Sequence, residues 1–145
     1  MKPKLLLRIA AILILVHDIG HTMGFGGWKK ATDPVEQQVI QQMTGHQFPF
    51  MGATHSLGDY YEGFGYGCSI ALILIAVLLW LVSAELSSNT RLAKKVIITV
   101  SFALLIWAAD EMVYFFPFAT GLSVVACLCS FWAYYLLKGQ KTGVV

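Results

Sequence analysis

LGDYYEGFGYGCSIALILIAVLLWLVSA, residues 57 to 84, places Asp59 and Glu62 in its first six positions and then runs to its end without a charge. A helix rises 1.5 Å per residue, so about 20 apolar residues cross the ~30 Å hydrocarbon core of a bilayer. This stretch is therefore long enough to span a membrane as one helix. Its acidic start must sit where water or partner groups can reach it.

Three further runs have the same character: Leu5 to Phe25, Ala93 to Phe116 and Pro117 to Leu137. Together the four account for most of a 145-residue chain that is 57% hydrophobic and only 12% charged, with a mean hydropathy of +0.68. Soluble domains are about 45–50% apolar and about 25% charged, so a soluble globular fold is excluded. The net charge of +2 is small and the lysines and arginines are spread over the chain ends and two connections, which leaves no basic stripe for nucleic acid. The expected fold is all-α: a single polytopic membrane domain over residues 1–145, built as a four-helix transmembrane bundle.

Local signals refine this plan. Lys2, Lys4 and Arg8 precede the short apolar run Ile9 to Val16, as in a secretory signal, but no small-x-small cleavage site follows. The first segment is read as a retained helix. The third and fourth spans are separated only by FFPF, where Pro117 can open a new helix because its missing N–H is not needed there. Within the long connection from Gly26 to Ser56, DPVEQQVIQQM (33–43) reads as a short helix, with Asp33 as N-cap, Pro34 at the first position and Glu36 three residues after the cap. Val35, Val39, Ile40 and Met43 share one of its faces, and the glutamines take the other. Such a helix lies on the bilayer surface or closes over the bundle.

Lys2, Lys4 and Arg8, then Arg91, Lys94 and Lys95, then Lys138 and Lys141 all fall on one side of a four-span plan. By the positive-inside rule both termini face the cytoplasm, most naturally across a bacterial inner membrane, and the 26–56 connection faces outward, where Lys29 and Lys30 run against the rule but are offset by Asp33 and Glu36. The histidines and acids of the apolar runs then belong to the outer half: His17, Asp18 and His21 in the first span, Asp59 and Glu62 at the start of the second with His55 just before it, Asp110 and Glu111 near the end of the third. Helical spacing places Gly20 and Gly24 on the face of His17 and His21. It groups Tyr66 with the acidic start of the second span, and Trp107 and Tyr114 with Asp110 and Glu111. These ionisable and aromatic residues are expected to line one outer cavity.

Several chemistries suit such a set. His17 and His21, completed by His55 and by Asp59 or Glu62, would make a mixed nitrogen and oxygen site for a transition-metal ion, with redox chemistry as an option. A haem fits less well, because two histidines on one helix face cannot both be its axial ligands. The same groups could carry protons in a coupled carrier, serve a lipid-modifying enzyme, or form a hydrogen-bonded cluster that only fixes packing in a structural or accessory subunit. In that last case His17 would pair with Asp59 or Glu62, and His21 with Asp110 or Glu111. The bilayer is the expected partner; a membrane subunit or a second copy remains open. Cys68, Cys127 and Cys129 all lie in apolar runs, where cysteine acts as a small hydrophobe. The pairs Gly20/Gly24 and Gly63/Gly67, and the series Ala119, Ser123, Cys127 and Ser130, are small-residue faces that allow helices to approach closely.

HDIGH (17–21) and SLGDYYEGFGYGCSIALIL (56–74), set in four short spans with a polar end, resemble the small bacterial membrane proteins gathered around the DoxX-like group. The resemblance implies a four-helix membrane bundle. Members of that group are associated with quinone-linked sulfur oxidation as accessory subunits, and their wider relatives include sterol-isomerase-type folds with a membrane-buried histidine and carboxylates. No residue pattern in this chain carries either activity over.

Overall fold

The computed structural model describes residues 2–139; Lys141 lies outside them. The order of elements is α1 (Pro3–Gly26), a 3-10 turn (Trp28–Lys30), α2 (Pro34–Gly45), β1 (Gln47–Phe50), β2 (Ala53–Ser56), α3 (Leu57–Ala84), α4 (Thr90–Tyr114) and α5 (Pro117–Gly139). Four of the helices, α1, α3, α4 and α5, are long and apolar enough to cross a membrane. The chain divides into two compact units, and the division falls within α1 and α3.

The first unit, residues up to Asp18 with those from Leu72 onward, is the four-helix bundle. Its core repeats at helical spacing: Leu7, Ala10, Ala11 and Ile14 from α1, Leu72, Ala76 and Leu79 from α3, Ala93, Ile97 and Leu104 from α4, Ala126 and Ala133 from α5. Many of these residues are small, which suits helices that meet where lipid offers no hydrophobic drive. The anticipated face of α5 is buried throughout, at Ala119, Ser123, Cys127 and Ser130. Hydroxyls in this core return to their own helix, Ser101 donating to the Ile97 carbonyl at 2.8 Å and Ser130 to the Ala126 carbonyl at 2.9 Å. None of the three cysteines forms a disulfide.

Only 22–39% of the apolar window of each span is buried inside the protein. Ile12, Leu74, Ile106, Leu128 and Trp132 are exposed on its outside. Apolar surface on that scale is not sustained in water; lipid is the solvent that matches it, and the chain is an integral membrane protein. Helix ends follow the sequence closely. α3 occupies the expected 57–84, and α5 begins at Pro117. α4 starts three residues earlier than its apolar run, because the Asn89 side chain accepts the Leu92 N–H at 3.0 Å and caps it.

The second unit, Ile19–Ala71, holds the end of α1, the whole connection and the start of α3. Asp33 caps α2 as anticipated, accepting from the N–H groups of Val35 at 2.9 Å and Glu36 at 3.1 Å. The sequence reading contained no strands, yet β1 and β2 form an antiparallel ribbon with Phe48 opposite His55 and Pro49 opposite Thr54. Met51 and Gly52 make its two-residue turn with φ of 48° and 86°, the backbone of the hairpin turns whose twist matches their strands. A two-stranded ribbon has only edge strands, so Pro49 costs it little.

The glycines behave differently from expectation. A Cβ on Gly20, Gly24, Gly63 or Gly67 would meet no atom within 4 Å, so these four do not mediate close contact among the described residues. The tight positions are Gly65, where a Cβ would fall 2.4 Å from the Phe25 ring, and Gly58, where it would fall 2.9 Å from the Thr44 methyl.

Candidate functional site

In the bundle, α4 and α5 form a hairpin about Pro117, with Glu111 six residues before that proline and Ser123 six after it. Glu111 lies in the last turn of α4, three residues before its end at Tyr114, and Ser123 in the second turn of α5, so both are close to the hairpin turn. His17 of α1 lies between them. Its Nε2 is 3.0 Å from Glu111 Oε1 and its Nδ1 is 3.1 Å from the Ser123 hydroxyl. Trp107, one turn before Glu111, donates its indole N–H to the same Oε1 at 2.8 Å. His17, Glu111 and Ser123 are all buried, with 6%, 4% and 0% of their surface exposed.

Three helices thus meet in one polar chain, from Trp107 through Glu111 and His17 to Ser123. The carboxylate accepts at Oε1, so His17 carries its proton on Nε2. Nδ1 then either accepts from the Ser123 hydroxyl or, in the imidazolium, donates to it. Two buried carboxylate oxygens have no hydrogen-bond partner: Glu111 Oε2 and Oδ1 of the half-buried Asp18. An unpaired, charged acceptor is costly in a low-dielectric interior, and a proton bound at the carboxylate removes the charge part of that cost.

The other anticipated residues have separate local partners. His21, in the second unit, is 3.0 Å from the Gly65 carbonyl through Nε2 and stacks on Phe25 with centroids 5.8 Å apart. Asp59 accepts from the Ser56 N–H at 2.7 Å and from its hydroxyl at 2.9 Å, while that hydroxyl accepts the Asp59 N–H at 3.1 Å. This reciprocal pairing is a capping box at the start of α3. His55, on β2, lies half exposed at 3.9 Å from the same carboxylate. Glu62 takes Lys29 Nζ at 2.6 Å and the Trp28 indole at 3.3 Å. Asp110, Tyr66 and Tyr114 are exposed.

The pairings therefore differ from those expected of a packing cluster: His17 meets Glu111 and not Asp59 or Glu62, and His21 meets a backbone carbonyl and not Asp110 or Glu111. Among the described residues no group of three or more His, Cys, Asp or Glu side chains could hold a metal ion. The second unit does contain a cavity of about 610 Å³, but none of the histidines, acids, Trp107, Tyr66 or Tyr114 anticipated to line one contributes to it. Sequence reasoning missed Ser123 as a partner of His17, treating it as a packing residue. The nearness of both Glu111 and Ser123 to the break at Pro117 was the available signal.

The fold and this buried pair define a small integral membrane protein of the four-helix kind. No family model, curated protein or solved structure matches the chain.

Proposed function

We propose that the protein is a proton-handling membrane protein, a small proton-coupled carrier whose proton-binding centre is the His17–Glu111 pair. The observation that carries this reading is the buried 3.0 Å contact between Nε2 and Oε1, together with the unpartnered Glu111 Oε2 beside it. Ionisable groups placed in a membrane interior are a functional site by default, because insertion alone costs ~2.5–3.5 kcal/mol or more for each charge. A pair lowers that cost while keeping a titratable proton in place. Transfer from Nε2 to Oε1 turns an ion pair into two neutral groups with no change in net charge, and an added proton has Oε2 to occupy. Trp107 and Ser123 hold the two side chains in line for either step.

The proposal includes an orientation. Lys2, Lys4, Arg91, Lys94, Lys95 and Lys138 support cytoplasmic termini in a bacterial inner membrane, with His17, Glu111 and Ser123 toward the outer face. The likeness to the DoxX-like group, carried by HDIGH and the first residues of α3, belongs to the same proposal and adds only the expectation of a small membrane bundle.

Proton uptake per protein on acidification, over about pH 8 to 4 where histidines and carboxylates ordinarily titrate, tests this centre. Wild type in lipid nanodiscs should take up more protons than Glu111→Gln, by up to one per chain. His17→Gln should also lower the count. Identical uptake by all three proteins would remove the proposal.

A further inference from the structure

The apolar face of α2 does not pack against other side chains along its whole length. Val35, Val39, Ile40 and Met43 form one wall of the 610 Å³ cavity, a size within the roughly 300–1,000 Å³ of small-molecule sites. Trp28 and Tyr61, with ring centroids 4.9 Å apart, stand in the remaining lining with the backbone of Gly24 and Gly27. Any side chain at Gly24 would extend into open space, so glycine at this position keeps volume free.

Ala31 and two charges, Lys30 and Glu36, complete the lining, and both charged side chains are exposed. The neighbouring Lys29 is held by Glu62 at 2.6 Å, whereas neither Lys30 nor Glu36 has an ion-pair partner among the described residues. An aliphatic wall, two amphipathic rings and one charge of each sign complement a molecule with a hydrocarbon chain and a head bearing both phosphate and ammonium. Trp and Tyr are the residues that sit where an apolar body meets a wet headgroup. The connection that carries α2 joins the ends of two membrane spans, which keeps it at the boundary where such molecules reside.

We propose that this cavity is a binding site for a single-chain zwitterionic phospholipid, with the chain along Val35, Val39 and Met43, the phosphate at Lys30 and the ammonium at Glu36. This site is independent of the His17–Glu111 centre.

Native mass spectrometry in a maltoside detergent, titrating lysophosphatidylethanolamine, reads the binding directly. Wild type should bind one molecule. Gly24→Leu should weaken binding at least tenfold by filling the cavity, and Val39→Glu, which leaves α1 untouched, should do the same. Gly121→Leu adds equal bulk at an exposed helical glycine that has no neighbour within 4 Å, and should bind as wild type does. Lys30→Glu should lower affinity for the lysophospholipid several-fold and leave binding of a monoacylglycerol of the same chain unchanged. Wild-type affinity in both cavity variants, or equal loss in Gly121→Leu, would overturn the site. Equal wild-type affinity for the two lipids would overturn the headgroup assignment.

Discussion

Replacing Gly65 with alanine adds one methyl group to α3, and the structure says what that methyl meets. Its position is 2.4 and 2.5 Å from two edge atoms of the Phe25 ring and 2.9 Å from Cγ at the root of the ring. Carbon atoms rest at about 3.5–4.0 Å, so the ring must retreat by about 1 Å. Because Cγ is among the clashing atoms, rotation of the ring about its own axis gives no relief, and Phe25 must change its χ1 or α1 must move. Phe25 is 9% exposed, stacks on His21 and meets Tyr66 edge-on at 5.0 Å, so a retreat disturbs both contacts. Overpacking of this kind costs about 1–3 kcal/mol. The gain in helix propensity on replacing glycine by alanine is about 0.8–1.0 kcal/mol. Gly63→Ala, two residues earlier in the same helix, receives that gain with no atom within 4 Å. In the difference between the two variants the propensity cancels, which leaves Gly65→Ala less stable than Gly63→Ala by about 1–3 kcal/mol. Reversible unfolding in mixed detergent and SDS micelles measures that difference. Equal stability of the two variants would refute the placement of Phe25 over Gly65.

Ser123→Ala leaves His17 Nδ1 buried without a partner and should cost about 1–3 kcal/mol in the same unfolding assay; no loss would mean that the serine does not orient the ring. Ser56→Ala removes the two bonds made by the Ser56 hydroxyl and keeps only the Ser56 N–H to Asp59 bond, so amide exchange should quicken over the first turn of α3 while α5 keeps its protection. Met51→Asn puts a residue tolerant of positive φ before Gly52, and the β1–β2 amides should exchange more slowly than in wild type; faster exchange would argue against that turn.

The features read correctly from sequence are those with a local or one-dimensional cause. Span lengths follow from apolar runs, the start of α5 from Pro117, and the start of α2 from the Asp33–Pro34 pair. Depth along the helix was legible for Glu111, expected near the end of the third span and found three residues before the end of α4. Rotation about the helix axis was not legible: a helix turns about 100° per residue, and an i, i+4 pair names a face without saying what it faces. For this reason His17 and His21, though on one stripe of α1, have unrelated partners. The same ambiguity made Gly20, Gly24, Gly63 and Gly67 look like packing positions while Gly58 and Gly65 passed unnoticed. Asp59 reads as a ligand candidate by residue type, although Ser56, three residues before it, offers the capping-box pattern. The β1–β2 ribbon lacked its usual signals, because Met-Gly replaces Asn-Gly in the turn and Pro49 interrupts the first strand.

The central claim is that Glu111, paired with His17, binds a proton inside the bundle. An acid-minus-alkaline infrared difference spectrum of the protein in lipid reads this through the carbonyl stretch of a neutral carboxylic acid. The account predicts a band present in wild type, shifted in His17→Gln, absent in Glu111→Gln and unchanged in Glu62→Gln, whose carboxylate is partly exposed and paired with Lys29. A wild-type spectrum reproduced in full by Glu111→Gln would contradict it.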